Sequence, residues 1–224
     1  IIKEIHFPHS LGLLYSAFTY YVGFKVNSGE YKLMGLAPYG KPLFKDLIFQ
    51  KLIDLKEDGS FKLNMKYFNY ATGLTMTNDK FSKLFGNPVR DPNKDLLTQF
   101  HMDLAASIQA VIEEIVIRIT KNISSKYKIE NLCLAGGVAL NCVANGKVQN
   151  EKIFKNIWIQ PASGDAGGSL GAALAYWHHE LGKPRDEFSD KMMGSFLGPK
   201  FDNNFIETKL KLLKANFKKY SKEE

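Results

Sequence analysis

Along this chain apolar residues recur at helical steps in some stretches and in short unbroken or alternating runs in others, and the elements follow from that contrast. Residues 10–24, SLGLLYSAFTYYVGF, put Leu14, Phe18 and Tyr21 on one face behind Ser10, which predicts a small buried helix capped by that serine. The next segment, KVNSGEYKLMGLAPYGKP, is punctuated by glycines and by Pro38 and Pro42, and reads as tight, broken chain. Residues 47–70 place Asp58-Gly59 between two partly alternating runs, the pattern of a β-hairpin. Residues 71–94 are polar and read as loop, with NPVRDPN the clearest part.

The longest stripe comes next. Leu97, Leu104, Ile108, Val111, Ile115 and Ile119 follow one another at helical steps, which predicts a helix of about seven turns. A short apolar run at 129–135 then enters Gly136-Gly137, a helical stretch covers 138–150, a second run covers 155–160, and a small-residue helix covers 168–182 and stops at Gly182 before Pro184. Strand, helix, strand, helix in that order predicts an α/β fold whose strands are parallel and joined by right-handed crossovers. Ile206, Leu210, Leu213 and Phe217 line one face of a lysine-rich helix at the end.

Composition narrows the class. Of 224 residues, 45% are hydrophobic, enough for a folded core and too many for a disordered chain. The net charge is +7, but it is concentrated near the end, where 209–224 hold six Lys and two Glu. A solvated basic face explains this better than a nucleic-acid site, because no arginine-rich stripe interleaved with aromatics occurs. Cys133 and Cys142 form no CxxC pair and are expected as buried free thiols in a reducing, cytoplasmic setting. No membrane span and no signal peptide are expected, and the start without methionine suggests a stretch taken from within a longer polypeptide.

Candidate chemistry lies in the two glycine turns. In AGGVALN, a strand enters Gly136-Gly137 and a helix follows, so unpaired helix amides and a backbone without Cβ make a candidate phosphate site, with Asn141 one turn in. In SGDAGGSLGAA, Asp165 follows Gly164 at a helix start, where it is either an N-cap or a carboxylate for a divalent metal. Turns of this kind on adjacent parallel strands open into one crevice. His9 reads as a cap or packing residue, His101 as exposed on the long helix, and the neighbours His178-His179 as surface, since adjacent helical residues point about 100° apart.

SLGLLYSAFTYYVGFKVNSGEYKLMGLAPYGKP, LAGGVALNCVANGKV and PASGDAGGSLGAALA together resemble the amino-terminal domain of the nodulation-type and antibiotic-tailoring O-carbamoyltransferases, over roughly residues 5–200. The resemblance implies an actin-like, sugar-kinase-like ATPase fold in part: the second half of the two-part fold plus the end of the first, with a mixed or parallel sheet flanked by helices. It implies residues 1–94 as the end of a first subdomain, 95–200 as a second subdomain bearing the site, and 201–224 as a basic linker helix. It implies ATP-dependent transfer of a carbamoyl group from carbamoyl phosphate, through carbamoyl adenylate, to a hydroxyl-bearing small molecule or oligosaccharide. Gly136, Gly137, Asn141 and Gly164 would then line the phosphate and nucleotide site, Glu30, Lys32, Gly35 and Gly40 the adenosine side, and Asp165 would bind a divalent metal (iron, manganese or magnesium). The family's HxxxH metal pair belongs upstream of residue 1 and its adenylate-forming domain downstream, so the chain alone is expected to be inactive. No catalytic base is assigned. A phosphotransferase of the same superfamily, or a non-catalytic interaction fragment, is the alternative.

Overall fold

In a computed structural model of the chain, which describes residues 1–185 and 192–221, Ser10 caps helix α1 (Leu11–Tyr21) as its position predicts, its Oγ accepting from Leu13 N at 3.2 Å. Leu14, Phe18 and Tyr21 are fully buried. Burying side chains of this size stabilises the fold by roughly 1.5–3 kcal/mol each.

Three short helices stand where the sequence suggests irregular chain or strand. Helix α2 (Glu30–Leu36) forms despite Gly35, because Leu33 and Leu36 are buried where it packs on helix α5 (Gln99–Tyr127), and tertiary burial outweighs glycine's weak propensity. Helix α3 (Lys45–Lys51) replaces the first part of the hairpin expected over 47–70. Ile48 and Leu52, four apart, are both fully buried, which is a helical requirement. The hairpin itself is confined to β1 (Ile53–Leu55) and β2 (Phe61–Leu63), antiparallel with Ile53 opposite Leu63, and Asp58-Gly59 lies in its turn as predicted. Helix α4 (Asp79–Phe85) corrects the expected loop over 71–94: Asn78 accepts from Lys80 N and Phe81 N, and Gly86 ends the helix in the left-handed region. Phe81 packs edge-on against Phe18 and Tyr21, with ring centroids 5.2 and 5.0 Å away.

Helix α5 (Gln99–Tyr127) is the predicted long helix, and Leu104, Ile108, Val111 and Ile115 are fully buried along it. Leu97 lies before the helix, which starts at the cap Thr98. His101 is not simply exposed: it is half-buried and closes a capping box by accepting from Thr98 N through Nδ1 at 3.1 Å. Burial, and then Arg90, hold its pKa below the ordinary value, which suits an accepting neutral ring.

Strand β3 (Asn131–Leu134), helix α6 (Cys142–Asn150), strand β4 (Asn156–Ile159) and helix α7 (Gly167–Ala175) follow in the predicted order. β3 and β4 are parallel, with Cys133 opposite Trp158. The described residues are thus mixed α/β with two small two-stranded sheets. Leu132, Val148 and Phe154 form a small second core beneath the parallel pair. Cys133 points away from that core and Cys142 opens α6, and both are exposed free thiols, contrary to the expected burial.

By Cα proximity the described residues divide into Ile1–Trp177 and His178–Glu224. In the second unit, helix α8 (Asn203–Leu212) is capped by Asp202, whose Oδ1 accepts from Phe205 N at 2.7 Å. The expected stripe does not stay helical: the helix ends before Leu213, Lys214 takes a positive φ of 51°, and Phe217 lies outside it. Residues 186–191 of the expected second subdomain and 222–224 of the expected linker helix lie outside the described residues. Among those described, no helix is long and apolar enough to cross a membrane.

Candidate functional site

The two glycine turns meet. Gly136 N donates to Ser163 O at 2.7 Å, and a Cβ placed on Gly164 would lie 3.7 Å from Leu140 Cδ1. Gly136 takes φ +94°, a left-handed value that a side chain disfavours, and this lets the chain leave β3 and fold over the second turn. The turns extend from the carboxyl ends of two hydrogen-bonded parallel strands, the position at which open α/β sheets receive ligands.

The local geometry differs from a strand running straight into a helix. Gly137–Leu140 forms one 3-10 turn, and α6 begins only at Cys142. Asn141 is therefore the N-cap of α6, with Oδ1 accepting from Ala144 N at 3.0 Å, and not a residue one turn inside it. Asn145 Nδ2 braces the turn by donating to Ala139 O at 2.7 Å. In the second turn, Gly167 N donates to Gly164 O and Gly168 N to Asp165 O, both at 3.0 Å. Asp165 is exposed, and the cap position of α7 is Ala166, with no side-chain cap. The capping role open to Asp165 on sequence is thus not the one it plays.

The expected adenosine-side residues divide. Glu30 is the first residue of α2; its Oε1 accepts from Ser16 Oγ at 2.8 Å and Asn27 N at 3.0 Å, and its Oε2 from Gly29 N at 3.2 Å, so it braces α2 against α1. Lys32 and Gly35 are exposed on the outer face of α2. Gly40 has a packing role: a Cβ there would lie 2.0 Å from Met102 O, so only glycine lets this turn approach α5 so closely.

A buried polar network joins these parts, and the sequence reading did not include it. Tyr15 Oη donates to Gln109 Oε1 at 3.0 Å, and Gln109 Nε2 donates to Glu113 Oε1 at 2.9 Å. Gln109 and Asn141 exchange two further bonds, at 3.0 and 3.1 Å. Lys147 closes the chain as an ion pair with Glu113. Burial first, and then the carboxylates of Glu113 and Glu30, push the Tyr15 hydroxyl well above its usual pKa, so it remains a donor. The available signal was Gln109 and Glu113, polar and four apart on the helix that carries the longest apolar stripe. Ser163, beside the turns, is buried with an unpartnered Oγ.

Other histidines serve structure. His9 Nδ1 accepts from Leu63 N at 3.1 Å, and His178 Nδ1 lies 2.9 Å from Lys183 O. Among the described residues no three His, Cys, Asp or Glu side chains converge as a metal site. One exposed carboxylate is not such a site by itself.

A parallel strand pair whose two glycine turns are joined by a backbone hydrogen bond places the chain among mixed α/β proteins, and sequence comparison gives its kind. The family described as "Carbamoyltransferase N-terminus" matches residues 1–174, and the chain belongs to that family. It is 63% identical over 224 residues to an uncharacterized protein of Synechocystis sp., covering 99% of this chain and 36% of that protein. It is 38% identical over 196 residues to nodulation protein NolNO of Sinorhizobium fredii, covering 86% and 27%, and 36% identical over 202 residues to nodulation protein NolO of Bradyrhizobium diazoefficiens, covering 88% and 34%. The chain therefore spans about a third of the length of these relatives.

Proposed function

We propose that this chain is the part of an O-carbamoyltransferase that holds the activated carbamoyl donor, with the joined Gly136-Gly137 and Gly164-Asp165 turns receiving the donor's phosphate end. The observation that carries this reading is the Gly136 N to Ser163 O bond of 2.7 Å, which makes the two turns one loop cluster at the carboxyl ends of β3 and β4. The family match supports the carbamoyl chemistry, and partial likeness to the actin-like ATPase fold belongs to the same reading. The donor is carbamoyl adenylate, made from carbamoyl phosphate and ATP. An acceptor hydroxyl oxygen bonds to the carbamoyl carbon, the bond from that carbon to the adenylate oxygen breaks, and AMP departs while the hydroxyl proton passes to a base. Asp165 contributes one carboxylate toward a divalent cation.

The test uses the native full-length protein with ATP, carbon-labelled carbamoyl phosphate and a panel of alcohols and oligosaccharides. The expected result is label in the acceptor that needs both ATP and carbamoyl phosphate. Transfer of the ATP γ-phosphate to an alcohol without carbamoyl phosphate would instead establish the phosphotransferase alternative.

A further inference from the structure

The buried network assigns a role to Gln109 that the chemistry above does not use. Gln109 is 5% exposed and lies on α5, yet every polar position of its amide is occupied. The directions of those bonds are settled by the partners. Lys147 pairs with Glu113, which keeps that carboxylate an acceptor, so Glu113 Oε1 takes one Nε2 hydrogen of Gln109. Asn141 Oδ1 caps Ala144 N, so it too is an acceptor and takes the other. Gln109 Oε1 then receives Asn141 Nδ2 and the Tyr15 hydroxyl. Two donors and two lone pairs are all satisfied, in one arrangement only. A cap alone would need Asn141 and nothing from α5.

We propose that Gln109 is a positioning residue, which sets nucleotide affinity by locking Asn141, and with it the Gly137–Leu140 turn, onto α1 and α5. The inference rests on the reading of that turn as the phosphate site. It also links the two halves of the candidate site, because α1 carries both Tyr15 and the Ser16 that holds Glu30. Fully satisfied buried networks hold one geometry, and removing one member leaves its partners unpaired in low dielectric.

The experiment measures ATP affinity of the native full-length protein by calorimetry between about pH 5.5 and 8.5, with Tm in parallel. Gln109→Leu strands Asn141, Glu113 and Tyr15, and ATP Kd is expected to weaken about tenfold or more, as for other residues that orient ligands. Gln109→Glu supplies the diagnostic. The groups facing position 109 are Tyr15 from α1, Glu113 from α5 and Asn141 from the N-cap of α6, with Lys147 beyond Glu113 and Glu30 beyond Tyr15. The carboxylate introduced by Gln109→Glu, when ionised, opposes Glu113 and cannot donate to Asn141, so its folded-state pKa is raised. The variant-to-wild-type Kd ratio is therefore expected to be large at high pH and to fall toward one as acidification restores a donor. Variants that bind ATP as tightly as wild type at every pH overturn this inference alone. A Gln109→Glu deficit that ignores pH and tracks a lowered Tm makes the residue merely structural, and also overturns it. A wild-type protein that binds no ATP overturns the functional reading together with the inference.

Discussion

Arg90→Met is expected to destabilise the protein by about 3 kcal/mol, the summed cost of losing two charge-assisted hydrogen bonds, the one to Val22 O buried and the one to Asp95 O partly buried. Arg90 is 9% exposed. Its Nε donates to Val22 O at 2.6 Å and its Nη1 to Asp95 O at 2.7 Å, while its backbone N donates to Tyr21 O at 3.1 Å. The side chain thus satisfies the carboxyl end of α1 and ties it to the segment that leads into α5. Methionine keeps much of the apolar stem but supplies no donor. A Tm loss of roughly 6–12 °C corresponds to that energy in a chain of this size. Urea denaturation with an unchanged m-value checks it, and a loss below about 1 kcal/mol would mean that these carbonyls find other partners.

Asp165→Asn is expected to weaken divalent-cation affinity and lower carbamoyl transfer by about 10–100-fold, because it removes the carboxylate that this turn offers to the cation. The same change should leave Tm almost untouched, because Asp165 is exposed and α7 takes no side-chain cap from it. Steady-state transfer and thermal unfolding of the native full-length variant measure both. The opposite pattern, full activity with stability down by about 1 kcal/mol, belongs to a helix cap and would remove Asp165 from the site.

What could be seen in the sequence follows from how local each signal is. The stripe from Leu104 to Ile115 spans about three turns, and β3, α6 and β4 are bounded by glycine turns, so each is visible within a short window. Helices α2, α3 and α4 have seven residues each, too few for a period to stand out. Their conformation is decided by what Leu33, Ile48 and Phe81 are buried against, which is information from elsewhere in the chain. The exposed thiol of Cys133 has a similar origin: the residue lies in an apolar strand but points away from the small core beneath it. In the candidate site, the two turns announce themselves as contiguous motifs. The Tyr15–Gln109 and Gln109–Asn141 bonds bridge 94 and 32 residues, and no local pattern reports a pairing at that range.

The central claim is that the two glycine turns form one nucleotide site, and hydrogen exchange read by mass spectrometry tests it most directly. Native full-length protein is compared with and without ATP and carbamoyl phosphate. Slowed exchange is expected in peptides covering 134–141 and 160–168 together, with none in the peptide covering α8. Protection of one turn without the other, or protection confined to regions away from both, would contradict it.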